Sequence, residues 1–347
     1  MKAVAVLEPG KVGVVDIPMP EYGEYDCLVH VVACGLCSNT DMMIIKGNHP
    51  DSLHPIKYPT ILGHEPAGEI VQTGSKVRHL KIGDRVTNPF LGGYLPACGY
   101  SLTYGGMAEY AVVPDVKAMK EDGIESPFTK DSFDYRDFGC QLFPSDISFV
   151  DATSILSFKE NYSAHRNFGL EEGMDLLIYG DGAVGMGLAR FAKIYKPKSI
   201  TVIGHHDDRL EKVKVVAKPD QVINSLNQDP EEVLKDMKFD IVVDAVGRID
   251  IVKQAAGMLK PGGKIGVLGV FKKGQSTLDL YDIPNFTSVQ ILSFPYQEHR
   301  VHEDIIRFMQ TEINAQDFIS HVMPVEEVQE AVRLVEQREA FKVVLTF

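Results

Sequence analysis

The chain has 347 residues, of which 44% are hydrophobic and 24% charged, as in an ordinary soluble globular protein, and its length suggests about two domains. The formal net charge of -13 argues against a nucleic-acid-binding surface, because phosphates repel such a chain. We find no run of about 18 apolar residues that would span a membrane, and the N-terminal sequence MKAVAVLEPG lacks the apolar core of a signal peptide. Five cysteines, an odd and small number, favour a reducing compartment, so we expect a cytoplasmic protein without a disulfide framework.

Short β-type runs, interrupted by glycine and proline, dominate residues 1–115. Such spacing is typical of an all-β domain, and we predict strands at 2–7, 28–34, 67–74 and 107–113. Residues 116–145 are acidic and are predicted to form a loop-like insertion within this domain.

Two segments of the β-rich region carry residues that bind metals. The sequence CGLCSNTD at 34–41 contains Cys34 and Cys37, and LGHEP at 62–66 contains His64. A thiolate and an imidazole suit Zn²⁺, and a catalytic zinc needs three protein ligands and one open position, of which Cys37 and His64 would supply two. The residues alone leave two alternatives: the C-x-x-C pair is a redox or structural-zinc motif, or Cys37 and His64 are ordinary buried side chains.

From about residue 150 the pattern changes. Short continuous apolar runs at 176–179, 199–203, 241–244 and 264–268 alternate with amphipathic helical stretches such as 184–195 and 250–259. This alternation predicts βαβ units and a parallel sheet. Two helices, at 302–310 and 325–336, and a last strand at 342–347 follow.

A G-x-G-x-x-G motif lies between the first of these strands and the helix that follows it. The motif is typical of dinucleotide binding when a strand precedes it and a helix follows. Gly180 permits the tight turn, Gly182 lets the backbone approach a pyrophosphate, and Gly185 allows close helix–strand packing. The helix N-terminus, with Ala183 and Val184, offers N–H groups to the phosphates; the alternative is a glycine-rich turn without a ligand.

The end of the next strand indicates which dinucleotide is bound. An acidic residue at this position would bind the ribose of NAD, but the residue here is Gly204. A glycine leaves room for the 2′-phosphate of NADP, which His205, His206 and Arg209 could neutralise, so the sequence favours NADP. We also expect a Gly204→Asp substitution to shift the preference towards NAD. The alternative is that Asp207 or Asp208 reaches the ribose and the cofactor is NAD.

The chain resembles the zinc-containing medium-chain dehydrogenases, which include alcohol, sorbitol and threonine dehydrogenases. The resemblance rests on CGLCSNTD (34–41), GHEPAGEI (63–70), KIGDRV (81–86), GGMAEY (105–110), GDGAVG (180–185), VVDAVG (242–247), LKPGGKIGVLG (259–269) and KVVL (342–345). It implies an α/β protein with a GroES-like β-rich catalytic domain at 1–150, completed by 290–347, and a Rossmann domain at 151–289. It also implies that Val246 and Gly247 contact the nicotinamide dinucleotide.

Departures from the family pattern concern the metal sites. The region 89–99 has only Cys98 where relatives often carry four cysteines for a structural zinc, so we expect one zinc, the catalytic one, per chain. The third ligand of sorbitol-dehydrogenase-like members is a glutamate, but the matching position here is Leu156. Glu160, one helical turn later, is the preferred replacement, and Glu65 is the alternative, since neighbouring residues on a regular strand point to opposite faces.

The family resemblance implies zinc-assisted hydride transfer between a small polyol or secondary alcohol and NAD(P), with catalytic roles for Cys37, Thr40, His64 and Glu65. One extra residue after Cys37 leaves Asn39 as an alternative to Thr40 for the proton relay. Rival interpretations are a zinc-free quinone reductase of the same superfamily and a catalytically silent nicotinamide-binding protein. We expect a small-molecule substrate, a homodimer or homotetramer, and no nucleic-acid or membrane partner.

Overall fold

The computed structural model describes residues 1–50, 55–102, 105–126, 129, 140–271, 274–279, 281, 287–292 and 297–347. The chain forms two compact units. The first unit comprises Met1–Leu156 and His302–Phe347, and the second comprises Ser157–Val301. The domain boundaries predicted from the sequence, at 150 and 290, differ from these bounds and stay a prediction. Within the described ranges, no helix has the length and apolar character needed to cross a bilayer.

The strands, numbered along the chain, are β1 (Lys2–Glu8), β2 (Lys11–Asp16), β3 (Asp26–Leu36), β4 (Thr60–Ile61), β5 (Pro66–Thr73), β6 (Arg85–Thr87), β7 (Ser101–Leu102), β8 (Tyr110–Pro114), β9 (Asp175–Tyr179), β10 (Ser199–Gly204), β11 (Gln221–Asn224), β12 (Phe239–Asp244), β13 (Leu259–Val267), β14 (Ser288–Ile291), β15 (His321–Pro324) and β16 (Val343–Thr346).

The α-helices are α1 (Thr40–Lys46), α2 (Val116–Glu121), α3 (Phe149–Ala152), α4 (Ile155–Phe168), α5 (Ala183–Ala192), α6 (Asp207–Ala217), α7 (Pro230–Val233), α8 (Ile249–Gly257), α9 (His302–Thr311) and α10 (Val328–Glu336). Short 3₁₀ segments occur at Lys193–Tyr195, Glu298–Val301, Ala315–Asp317 and Val325–Glu327.

The first unit is built on two sheets, as the β-rich sequence pattern predicts. One has the strand order β2-β1-β4-β7, and the other has the order β15-β16-β3-β5-β6, with β8 also paired to β3. Strand β3 is buried along nearly its whole length, because it lies at the centre of its sheet. It pairs antiparallel with β5, and Cys34 lies opposite Pro66. The end of β3 and the beginning of β5 are therefore neighbours.

The prediction of a loop over 116–145 is wrong at its beginning, where helix α2 lies. The carboxylate of Asp115 accepts a hydrogen bond from the N–H of Ala118 and so caps this helix, which buries Ala118 and Met119. The helix has only six residues, too few for a clear apolar period among its charged side chains. Of the remaining predicted insertion, residues 127–128 and 130–139 lie outside the described residues.

The second unit contains the predicted parallel sheet. Its order is β11-β10-β9-β12-β13-β14, and each neighbouring pair is parallel. This is the order of a doubly wound Rossmann sheet, in which ligands bind at the carboxyl ends of the strands where the order reverses. Strands β9, β10 and β12 end side by side there, so the segments that follow them form one edge. The sheet buries continuous apolar runs such as Leu176–Ile178, as is typical of parallel sheets that have helices on both faces.

Candidate metal centre and dinucleotide site

Three donor side chains meet where β3 ends and β5 begins. The N–H of Gly35 donates to the carbonyl oxygen of Glu65 over 3.1 Å, which fixes the two segments side by side. The Cys37 sulfur, one ring nitrogen of His64 and one carboxylate oxygen of Glu65 all lie within 4.8 Å of one another. A thiolate, an imidazole and a carboxylate make a donor set that Zn²⁺ accepts, so these residues fit the metal.

Both His64 and Glu65 reach this point because the chain does not run straight between β4 and β5. Gly63 has φ of +101°, and the backbone bends at the two residues that follow it. A Cβ atom at Gly63 would collide with the backbone of Met107, so only glycine fits. The rule that neighbouring strand residues point to opposite faces does not apply at such a bend.

The carboxylate of Asp41 lies against two of the donors. Its Oδ2 accepts a hydrogen bond of 2.9 Å from the Cys37 N–H, and its Oδ1 lies 3.4 Å from Nδ1 of His64. This arrangement leaves Nε2 of His64 as the nitrogen for a metal, since a ligating histidine usually gives its other nitrogen to a carboxylate. Burial lowers the pKa of His64, but Asp41 and Cys37 together raise it well above its ordinary value.

A buried ion pair positions the Glu65 carboxylate. Lys342, just before β16, donates from its Nζ to Oε2 of Glu65, and both side chains are almost completely buried. The pair passes over Gly35, where a Cβ atom would collide with Glu65. Because a carboxylate has two oxygens, Lys342 can bind one while the other faces a metal. Burial strengthens the requirement that this charge be paired.

The structure separates the two cysteines of the C-x-x-C motif. Cys34 is fully buried in the apolar core of the first unit, where its Sγ donates to the Gly35 carbonyl oxygen over 3.6 Å. Burial raises the pKa of Cys34 far above the ordinary value of a thiol, and the nearby Asp41 and Glu65 raise it further. A thiol that stays protonated is a poor metal ligand and a poor nucleophile. Cys34 therefore has a packing role, and Cys37 is the chemically available member of the pair.

The other predicted residues of the metal site are placed as follows. Thr40 is the first residue of α1, and Asn39 is its N-cap. Leu156 is buried in the first unit, whereas Glu160 lies in α4 within the second unit and is not among the three clustered donors. The proton relay and the role of Glu160 stay predictions.

The glycine motif has the predicted strand–loop–helix context. Gly180 follows β9 with φ of +133°, and α5 begins at Ala183 with Gly182 as its N-cap. A Cβ atom at Gly185 would collide with the carbonyl group of Gly180, which explains the third glycine. A Cβ atom at Gly182 would meet only Nη1 of Arg209, at 3.9 Å, so the space beside this backbone is open. That opening suits a pyrophosphate.

Asp181 ties this loop to the end of β10. Its Oδ2 accepts hydrogen bonds from the N–H groups of His205 and His206, over 2.7 and 2.9 Å, and lies 2.9 Å from Nδ1 of His206. A Cβ atom at Gly204 would lie only 2.6 Å from Cβ of Asp181. Gly204 is thus needed for close packing. An aspartate at this position would collide with Asp181, and the expected shift of Gly204→Asp towards NAD stays a prediction.

A second buried carboxylate shapes the turn after β12. Asp244 accepts hydrogen bonds from the N–H groups of Val246, Gly247 and Arg248 and so fixes the turn that leads into α8. Gly247 has φ of +83°, and Val246 is exposed at the same sheet edge as the glycine loop. Burial raises the pKa of Asp244, although these three hydrogen bonds oppose the rise.

Sequence reasoning missed three carboxylate or ammonium groups that organise the site. Asp41 and Lys342 were within recognised motifs but were assigned no role, and Asp181 was treated only as a variable position of the glycine motif. The sequence does contain one signal for these residues, because an ionisable residue in a segment expected to be buried needs a partner. The partner of each residue is distant in sequence, however, and only the fold identifies it.

A β-rich unit with a zinc-type donor cluster and a Rossmann unit with a glycine loop together define the class of zinc-binding, nicotinamide-dependent oxidoreductases. Residues 23–123 match the family model of the alcohol dehydrogenase GroES-like domain, and residues 183–311 match that of zinc-binding dehydrogenases. The chain belongs to the zinc-containing medium-chain dehydrogenase family. This confirms the family and the fold class predicted from the sequence.

Curated relatives include sorbitol dehydrogenase of Bacillus subtilis (strain 168), which is 27% identical over 286 residues, 81% of this chain and 78% of the relative. The starvation-sensing protein RspB of Escherichia coli (strain K12) is 26% identical, and the aligned region covers 100% of this chain and 99% of RspB. Among solved structures, a putative zinc-binding dehydrogenase from Sinorhizobium meliloti 1021 bound to NADP is 22% identical, with a TM-score of 0.80 over 100% of this chain and 99% of its own. At such identity the solved structure supports the fold alone.

Proposed function

We propose that this protein is a zinc-dependent dehydrogenase that transfers a hydride between a small polyol or secondary alcohol and NAD(P). The observation that carries the proposal is the cluster of Cys37, His64 and Glu65 in a chain that also has a complete dinucleotide-binding loop. The relatives named sorbitol, alcohol and L-threonine 3-dehydrogenase support the substrate class. The donor cluster speaks against a zinc-free quinone reductase and against a catalytically silent protein.

We assign the third metal position to Glu65 and keep Glu160 as the alternative. Glu65 shares its short segment with His64 and has its carboxylate close to both other donors. The bend after Gly63 removes the geometric objection that made Glu160 the preferred residue in the sequence analysis. Lys342 then has two functions: it compensates the charge of Glu65 and fixes the direction of the carboxylate.

The protein's own residues prepare the reaction by position and charge. When bound, zinc supplies Lewis-acid polarisation of the substrate hydroxyl and lowers its pKa. Asp41 orients Cys37 and His64 before the metal arrives, and Lys342 orients Glu65. The N-terminus of α5 binds the dinucleotide phosphates, and Thr40, with Asn39 as the alternative, passes the proton to solvent.

For the cofactor we propose NADP over NAD. Gly204 offers no carboxylate that would repel a 2′-phosphate, and His205, His206 and Arg209 follow it at the same sheet edge. The carboxylate of Asp181 is nearby, but three N–H groups already surround its Oδ2.

We also propose that the protein is cytoplasmic, as its free cysteines suggest. The family resemblance supports a homodimer or homotetramer.

Two experiments test this function. The first measures oxidation of a panel of small polyols and secondary alcohols with NAD and NADP, and the proposal requires turnover with at least one member. The second compares Glu65→Gln with Glu160→Gln for bound zinc and kcat. We expect Glu65→Gln to lose most of both and Glu160→Gln to retain its zinc; the reverse result would assign the metal to Glu160.

A further inference from the structure

We infer that His205 is the specificity-determining residue of this enzyme, and that it recognises the 2′-phosphate of NADP only when its imidazole carries a proton. The inference rests on the proposed dinucleotide function and deepens it. It makes the choice between NADP and NAD depend on pH, whereas recognition by a guanidinium would not.

The position of His205 places it where the adenosine ribose of a dinucleotide is recognised. It is the residue directly after β10, at the carboxyl edge of the parallel sheet and beside the glycine loop that follows β9. In Rossmann folds the end of this second strand is the point that distinguishes the two cofactors. Gly204 has no side chain, so His205 is the first side chain of this segment that can contact a ligand. It is exposed, as a contacting residue must be.

A chain of two short polar contacts links Nδ1 of His205 to the carbonyl oxygen of Gly204. The hydroxyl of Ser225 donates to the carbonyl oxygen of Gly204 over 3.0 Å. The same hydroxyl oxygen lies 2.7 Å from Nδ1 of His205. With the hydroxyl hydrogen placed on the Gly204 side, the hydroxyl accepts from Nδ1, which then carries a hydrogen. In the neutral ring Nε2 then has a lone pair and no hydrogen.

This assignment determines how His205 meets each cofactor. A phosphate oxygen only accepts hydrogen bonds, so Nε2 must gain a proton before it can donate to the 2′-phosphate. The ribose hydroxyl of NAD is itself a donor, and it can bond to the lone pair of the neutral ring. Imidazoles gain and lose this proton within the physiological range. NADP binding is therefore coupled to proton uptake at His205, and NAD binding is not.

The surrounding groups keep this turn rigid and add charges of both signs. Asp181, from the glycine loop, binds the backbone of His205 and both the backbone and Nδ1 of His206. The first turn of α6 contributes Asp207, Asp208 and Arg209. On the β11 side the neighbours are uncharged: Ser225, and Asn224, whose amide donates to Asp207 over 2.6 Å. The turn thus holds His205 by its backbone and by Nδ1, while Nε2 has no partner within the described part of the chain.

Calorimetric binding of NADP and NAD to the intact protein, between pH 6 and pH 9, tests the inference. Loss of one charge-assisted hydrogen bond corresponds to about a tenfold change in Kd, so we expect the NADP-to-NAD affinity ratio to fall by about tenfold over this range. Parallel titrations in buffers of different ionisation enthalpy should show net proton uptake with NADP and none with NAD. The 2′-phosphate has its own titration near pH 6, so a matched protein variant is needed as control.

The control is His205→Arg, which substitutes a permanent cation at the same exposed position. In this variant the NADP-to-NAD affinity ratio should stay level above pH 7. The guanidinium keeps its charge there, and the 2′-phosphate is already ionised. Ser225→Ala should flatten the wild-type dependence, since Nδ1 loses its acceptor and the neutral ring can present a hydrogen on Nε2. Tight NADP binding with the same pH dependence in wild type and His205→Arg would refute the role of His205 and leave the cofactor proposal intact. NADP binding weaker than NAD at every pH would overturn both.

Discussion

Asp41 provides the most informative single substitution, because one carboxylate organises two proposed zinc ligands. In Asp41→Asn the amide oxygen can still accept the Cys37 N–H, now 2.9 Å from Oδ2. In the native protein Oδ1 of Asp41 lies 3.4 Å from Nδ1 of His64. In the variant the uncharged amide nitrogen takes the place of this oxygen. The variant therefore keeps its shape but loses the charge that orients the histidine and supports its basicity.

The expected effect follows from what such supporting carboxylates contribute elsewhere. Removing one typically weakens metal binding 10–100-fold, which corresponds to about 1.4–2.8 kcal/mol. Competition with a chromophoric chelator measures the zinc Kd directly, and kcat measured at saturating zinc separates metal loss from misorientation. Asp26→Asn is the matched control, since Asp26 is also buried in the first unit but bonds to Tyr94 and Gly23. Equal zinc affinity in wild type, Asp41→Asn and Asp26→Asn would refute the reasoning.

Three further predictions concern packing and protonation. Cys37→Ala should abolish tight zinc binding while Cys34→Ala retains it, and zinc measurements on both decide whether the two cysteines act as a pair. Gly204→Ala should destabilise the fold by about 1–3 kcal/mol through overpacking, because its Cβ would lie 2.6 Å from that of Asp181; an unchanged Tm would contradict this. Burial lowers the pKa of His165 to about 4. Between about pH 6.5 and pH 4 the unfolded chain therefore binds a proton at this residue and the folded chain does not. The free energy of unfolding should fall as the pH drops through this range. Urea unfolding of wild type and His165→Asn should show a shallower fall in the variant.

Features encoded by short, contiguous segments were accessible from the sequence. The glycine loop is one, because its strand, three glycines and helix lie within about 20 residues and each glycine has a local steric reason. Cys37 and His64 are others, since thiolate and imidazole chemistry points to zinc without any knowledge of the fold. The alternation of strands and helices in the second unit predicted the parallel sheet for the same reason.

Features that depend on tertiary contacts were not accessible. The ranking of Glu160 above Glu65 assumed a regular strand, and the bend after Gly63 removes that assumption. The contact between Asp181 and the turn after Gly204 joins residues more than 20 positions apart, so the strand-end rule for cofactor choice could not include it. Helix α2 was missed because its signal is a single capping aspartate, which a composition of mixed charges obscures.

The dependence of turnover on zinc tests the account most directly. Protein purified without chelator should contain about one zinc per chain and reduce NAD(P) in the presence of a small polyol or secondary alcohol. Removal of the metal should abolish turnover, and addition of one equivalent of zinc should restore it in wild type but not in Cys37→Ala. Full alcohol-dependent turnover in the zinc-free wild-type protein would contradict the account.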